Sequence, residues 1–235
     1  MKVVVLGGRG YVGSQILQKL GTMLEVASII SINRSKAVTN APKVAWVQAD
    51  VSKDYECLKK EFGDATAVIS TIGAFGTNEQ MLEINGNVNI RAMKLAKEFT
   101  NIKRFVYVST VDNNLPEFIL QGYFQGKKNS ENELIKLYGK DGYVLKPSFI
   151  YGNRAVGSAS IPLGLVGKPM ELVLDLPGFN KLKDLPGMKA IFTSPISVET
   201  VASAAAIAAA GVLNDENTNI LDVNLMKYYV SKYQL

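Results

Sequence analysis

A tyrosine followed four residues later by a lysine places a phenol and an amine on one face of a helix. An amine so placed lowers the phenol pKa, and the phenol can then pass a proton to or from a carbonyl or an alcohol. The sequence holds three such pairs: Tyr55/Lys59, Tyr123/Lys127 and Tyr228/Lys232. With ten tyrosines in the chain, chance alone produces such pairs, so their places in the chain must separate them. Only Tyr123/Lys127 follows a strand, Arg104 to Ser109, that ends in two hydroxyls, Ser109 and Thr110. A hydroxyl there can bond the substrate oxygen beside the phenol. Tyr55 comes too early in the strand order, and Tyr228 falls in the terminal helix. The expected catalytic set is Tyr123 as acid/base, Lys127 as its support, and Ser109 or Thr110 as the positioning hydroxyl.

A second constellation opens the chain. Val3-Val4-Val5-Leu6 reads as a buried parallel strand, with glycines 7, 8, 10 and 13 next and Val12, Ile16, Leu17 and Leu20 at helical spacing. Strand, glycine turn and helix is the setting of a dinucleotide fingerprint. The glycines permit a tight turn and close approach to a pyrophosphate, and the helix N-terminus offers free N–H groups and its positive end. A turn with no ligand is the alternative. The second strand, Val26 to Ile32, is followed by Asn33-Arg34-Ser35-Lys36. An NAD site would carry a carboxylate at that corner to bond the ribose. Arg34 stands there instead, with Lys36 behind it and Arg9 inside the glycine loop. Such cations suit the extra phosphate of NADP. A solvated basic turn is the alternative, and NADP(H) is the expectation.

Composition closes off other chemistries. Histidine is absent and Cys57 is the single cysteine, which excludes a Ser-His-Asp or Cys-His mechanism, an intrachain disulfide and a zinc cluster. The net charge of +5 is spread without a block of like charges, so no nucleic-acid partner is expected. No run of 18 apolar residues occurs, so no membrane span is expected. No targeting segment is visible before the first strand, and a transit segment could precede Met1.

Stepping along the chain, strands are expected at 44–48, 67–71 and 143–146, with helices at 55–62, 81–99 and around 122–138. Asp50-Val51 closes the third strand, where the carboxylate can reach an adenine amino group or serve as a turn former. Thr71 and Gly73 close the fourth, where small residues let a cofactor lie against backbone. Sustained alternation of strand and helix from residue 3 to about 147 predicts an α/β fold, a doubly wound parallel sheet, with ligands at the carboxyl ends of its strands. Residues 1–150 read as the dinucleotide-binding domain. Residues 151–235 read as a small substrate or lid region packed on it. Within that region the apolar, proline-interrupted stretch 155–189 reads as a substrate lid, a docking surface or ordinary covering helices. A strand at 190–192, a helix at 198–210, a last strand at 220–223 and a terminal helix complete the reading.

Together these pieces resemble the short-chain dehydrogenase/reductase superfamily, of the extended or atypical kind. The resemblance rests on LGGRGYVG at the start, Asp50-Val51, Asn85, Val108-Ser109-Thr110, GYFQGKKNSE, LKPSFIYG at 145–152 and SPISVETVASAAAIAA. The region from GYFQGKK through LKPSFIYGNRAVGSASIPLGLVGKPMELVL is similar to mitochondrial NAD(P)-binding proteins associated with coenzyme Q biosynthesis. Those are similar in turn to the Rossmann-like accessory subunit of respiratory complex I. The resemblance implies an NADP(H) site built from Gly7, Gly8, Arg9, Gly10, Tyr11, Val12, Gly13, Asn33, Arg34, Asp50, Val51, Thr71, Gly73, Lys127 and Pro147. It implies a quinone- or isoprenoid-like substrate and a mitochondrial location. Two functional readings follow. One is an NADPH-dependent oxidoreductase acting on a small apolar substrate. The other is a catalytically silent NADPH-holding module of a membrane-associated complex. A homodimer through the long helices is compatible with either.

Overall fold

The computed structural model describes residues 1–35, 41–111, 120–156, 159–162, 194–213 and 218–233. Lys36, the strand expected at 190–192 and most of the 155–189 stretch lie outside them. Seven parallel strands form one sheet: β1 (Lys2–Leu6), β2 (Ser28–Asn33), β3 (Val44–Gln48), β4 (Ala67–Ser70), β5 (Arg104–Val108), β6 (Gly142–Leu145) and β11 (Ile220–Leu221). Their spatial order is β11-β6-β5-β4-β1-β2-β3. The order reverses on either side of β1, which opens a crevice at the carboxyl ends of β1 and β4, the place where open α/β sheets bind ligands.

Val3, Val4, Val5 and Leu6 have no exposed surface, as a central strand covered on both faces requires. On one face pack α1 (Tyr11–Thr22), α6 (Val198–Ala210) and α7 (Val223–Lys232). The alanine-rich α6 can lie close to the sheet and to α1 because its side chains are short. The opposite face carries α2 (Tyr55–Phe62), α4 (Val88–Lys97) and α5 (Gln121–Tyr138). α6 has the bounds that its periodicity predicts. β2 begins two residues later than expected, because the chain is still turning at Met23 and Val26.

The helix expected from Met81 to Phe99 is instead three pieces. They are α3 (Asn78–Leu82), a π-turn at Glu83–Asn87, and α4. α3 starts early because Thr77 and Gln80 form a capping box. The π-turn leaves carbonyls without their usual helical partners. The Tyr107 hydroxyl donates to the Asn85 carbonyl at 2.9 Å, and Ser130 donates to those of Asn85 and Gly86 at 2.9 and 3.2 Å. The π-turn is thus tied to β5 and α5, the two elements that carry the expected catalytic set. Beyond β6, β7 (Ile150–Tyr151) pairs in parallel with β10 (Ile196–Ser197), and β8 (Asn153–Val156) pairs antiparallel with β9 (Ala159–Pro162). Among the described residues no helix is long and apolar enough to cross a membrane.

Candidate dinucleotide and catalytic site

The glycine loop turns directly off β1. Gly7 has φ +85°, and a β-carbon there would meet the Thr71 hydroxyl at 2.8 Å. Thr71 uses that hydroxyl to donate to the carbonyls of Leu6 and Gly7, at 3.0 and 3.1 Å, locking the strand-to-loop corner. Gly10 is the N-cap of α1 and supplies no side-chain cap, so the first-turn N–H groups keep their capacity for an anion. Gly8 lies against Ser31 and Leu17, and Gly13 against the Gly7 carbonyl, so these two glycines serve close packing of helix on strand. The hydroxyl of Tyr11 lies against Gly152, while Val12 packs on the core.

A cavity of about 790 Å³ opens in front of this loop. Of the residues expected to hold a cofactor, Gly7, Arg9, Gly10, Asn33, Arg34, Asp50, Val51, Thr71 and Gly73 line it; Gly8, Tyr11, Val12, Gly13, Lys127 and Pro147 do not. Asn33 also works as a brace. Its side-chain oxygen accepts from the Arg9 N–H at 2.8 Å, and its amide donates to Ser31. The Arg9 guanidinium donates to the Ser35 hydroxyl, which brings it to the Arg34 corner. Two cations therefore share that end of the cavity. Asp50 lines the cavity and forms a turn, accepting from the Ser52 N–H at 2.9 Å and hydroxyl at 2.6 Å. Those Ser52 hydrogen bonds hold its carboxyl below the usual range. Pro147 gives its carbonyl to the Val111 N–H at 3.0 Å.

Sequence reasoning missed the far wall of the cavity, made by Glu83, Ile84, Val88 and Arg91 from the π-turn and α4. Glu83 and Arg91 form an ion pair. Their eight-residue separation would have flagged one face of a continuous helix, but the π-turn between them has no compositional mark.

At the carboxyl ends of β4 and β5 the residues expected to be catalytic come together. Lys127 is buried, and its ammonium donates to the Val108 carbonyl at 2.8 Å. It sits 4.7 Å from the Tyr107 ring centre and 5.8 Å from that of Tyr123. A β-carbon on Gly73 would lie 3.6 Å from the amine, so Lys127 stands at the cavity's edge. Burial lowers its pKa to about 7, against the opposing pull of the Glu131 carboxylate. Burial raises the Tyr123 phenol, and a hydrogen bond from Thr110 acts the other way. In this geometry desolvation of the phenol outweighs any lowering of it by Lys127. Phe75 stacks on the Tyr123 ring, 5.0 Å between centres and 13° between planes, with Phe124 edge-on at 5.1 Å.

The two hydroxyls differ in direction. The Thr110 hydroxyl acts on the Tyr123 phenol, whereas Ser109 donates to the Glu131 carboxylate. Adjacent residues of an extended chain point to opposite sides, so one of the pair had to turn away. Thr110 and Lys127 also line a second, smaller compartment of about 250 Å³ with Val111, Phe124, Gln125, Lys128 and Glu131. Asn85 fixes the loop between the two compartments. Its side-chain oxygen accepts from the Ala74 N–H at 3.2 Å, and its amide donates to the Ala74 carbonyl at 2.8 Å.

Comparison with known proteins agrees with this geometry. The model of a family described as NAD(P)H-binding matches residues 7–159. The chain is 39% identical to an Arabidopsis thaliana protein named At1g32220, chloroplastic, over 98% of this chain and 78% of that one. It is 28% identical to the mitochondrial protein FMP52 of Meyerozyma guilliermondii, over 71% of this chain and 72% of that one. Among solved structures, the oxidoreductase ylbE from Lactococcus lactis superposes with a TM-score of 0.56 at 25% identity, covering 74% of this chain and 85% of that one.

Proposed function

From the premise that this chain belongs to the NAD(P)H-binding family, we propose that it is an NADP(H)-dependent oxidoreductase acting on a small apolar carbonyl or alcohol. The observation that carries this reading is the convergence of Thr110, Tyr123 and Lys127: Thr110 and Lys127 line the smaller compartment, the Lys127 amine is 5.8 Å from the Tyr123 ring centre, and it stands 3.6 Å from where a β-carbon on Gly73, a residue of the larger cavity, would lie. The residues present fit a dinucleotide. A left-handed Gly7, an uncapped α1 N-terminus and a slot of about 790 Å³ match the needs of a pyrophosphate and two nucleosides. When bound, the nicotinamide supplies or accepts a hydride.

The chain's own residues do the rest. Gly7, Gly10 and the first N–H groups of α1 bind the pyrophosphate. Arg9 and Arg34 bind a 2′-phosphate, a choice the absence of a carboxylate at that corner supports. Thr110 orients the substrate oxygen, Tyr123 gives or takes its proton, and Lys127 holds the nicotinamide ribose and supports the phenol. Phe75, Phe124 and Val111 present apolar surface near the reacting atom, which supports a quinone-ring or isoprenoid-like substrate whose reacting end enters the smaller compartment. The named locations of the relatives support an organellar protein, with the mitochondrion our assignment.

Titration with NADPH and NADH, followed by nicotinamide fluorescence, tests the cofactor site in wild type and Arg34→Ala. NADPH binding that weakens selectively in the variant supports it. Screening carbonyls and quinones for NADPH oxidation, with Tyr123→Phe as the control, tests the enzyme. NADPH that stays bound and unoxidised, unaffected by Tyr123→Phe, would favour the assembly-module reading. Absence of any dinucleotide binding would sink both.

A further inference from the structure

Glu131 is a buried carboxylate one helical turn beyond Lys127 on α5. Surface helices seldom bury such a group, because removing a carboxylate from water costs several kcal/mol unless it is paired and hydrogen-bonded. Here it is both. Ser109 at the end of β5 donates to one oxygen, and the Lys146 ammonium, just past β6, lies 3.1 Å from the other. Lys146 is itself buried, and Lys128, more exposed, stands 3.9 Å away. None of these groups takes part in the chemistry assigned to Thr110, Tyr123 and Lys127. All of them surround it.

We propose that Glu131, pinned by Ser109 and Lys146, is a positioning residue that keeps Lys127 cationic beside the Tyr123 ring and so sets the working pH of the site. This rests on the catalytic reading of Lys127. Among the described residues, the ionisable groups set against Lys127 are Tyr107 on β5 and Tyr123 and Glu131 on α5. Those set against Glu131 are Tyr107 on β5, Lys127 and Lys128 on α5, and Lys146 after β6. Of the groups facing Lys127, Glu131 is the acidic one, so its charge opposes the desolvation that would otherwise leave the amine neutral. Lys146, 3.1 Å from the same carboxylate, competes for its charge. The two partners therefore act on Lys127 with opposite sign.

The test is the titration of the Lys127 amine in the cofactor-free protein, followed by the NMR shift of its ε-carbon and assigned with Lys127→Met. Glu131→Gln should lower the midpoint by about one pH unit or more, the usual effect of losing a close opposite charge. Lys146→Met, which leaves Glu131 its full charge, should raise it. The limb of the pH–rate profile that reports Lys127 should move with the midpoint in each variant. A Glu131→Gln midpoint that does not fall, or a Lys146→Met midpoint that falls as far as that of Glu131→Gln, overturns the proposal and leaves the pair holding the fold alone. If Glu131→Gln does not fold, the double variant Glu131→Gln/Lys146→Met removes both charges together, a change buried pairs tolerate better. Its midpoint must fall below that of Lys146→Met alone, or the proposal fails. Because the titration needs no turnover, a protein that oxidises no substrate while its midpoints shift as stated would refute the enzymatic reading, and the working pH with it, and leave only the coupling of Glu131 to Lys127 standing.

Discussion

Gly126 of α5 lies directly against Gly86 of the π-turn, so close that a β-carbon on Gly126 would sit 2.9 Å from the Gly86 nitrogen. The contact is backbone on backbone, with no flexible side chain to give way. Lys127 is the next residue, so the depth at which α5 docks decides where its amine stands. Gly126→Ala should push the helix outward by a few tenths of an ångström, and Gly126→Val further. Overpacking of this kind costs about 1–3 kcal/mol. The expected outcome is a lower thermal midpoint that falls in the order glycine, alanine, valine, read by circular dichroism. NADPH oxidation should fall more steeply than NADPH affinity, since Gly7 and Arg34 are untouched.

The contrast between Thr110 and Ser109 gives a second prediction. Thr110→Ala removes the hydroxyl that acts on the Tyr123 phenol and should lower kcat by about 10²-fold, within the range for a positioned acid/base group. Ser109→Ala removes a bond to Glu131 instead, so its first effect should be a stability loss of about 1–2 kcal/mol. Steady-state kinetics and urea denaturation on the two variants separate the roles. Equal kinetic losses would mean that both hydroxyls reach the substrate.

Much of this arrangement could be read from the residues. The buried run Val3 to Leu6, the glycine turn after it and the alanine-rich run of α6 are local signals, and the sheet follows from the alternation of strand and helix. What could not be read depends on contacts between elements. Ser109 and Thr110 are neighbours with the same chemistry, and only the approach of α5 decides which one meets Tyr123. The π-turn at Glu83–Asn87 owes its stability to Tyr107 and Ser130, which are remote in sequence. Glu131 resembles an ordinary solvated helix residue, though its spacing of four from Lys127 was a usable signal. Asn33 and Asp50 stand where expected but also brace their own loops.

The low pKa of Lys127 predicts how stability depends on pH. In the unfolded chain a lysine binds its proton up to about pH 10.4. In the folded protein Lys127 releases it near pH 7. Between these limits the unfolded state holds more protons, so this group makes stability rise with pH, and its full burial penalty is present below about pH 7. Against a Lys127→Met variant, the wild type should gain on the order of 4 kcal/mol between pH 7 and 10, one pKa unit being worth about 1.4 kcal/mol. Paired urea denaturations across that range measure the difference. A constant gap between the two proteins would mean that Lys127 titrates as an ordinary lysine.

Phe75 offers the last prediction. It is 72% exposed, yet one face of its ring is stacked flat on Tyr123 while the rest meets solvent. Its loop is held by the bonds from Asn85 to Ala74, so the ring's position is fixed from below. An apolar ring over the acid/base residue forms a shelf on which a flat substrate can lie. Such aromatic pairing contributes about 0.5–1.5 kcal/mol beyond area burial. Phe75→Ala should therefore raise KM for an aromatic or quinone-ring substrate by about 2- to 10-fold, 1.4 kcal/mol being tenfold. NADPH affinity should stay unchanged, and a small aliphatic ketone should lose much less. If instead kcat falls equally for ring and aliphatic substrates with KM unmoved, Phe75 acts by holding the Tyr123 ring in place, and the substrate does not stack on it.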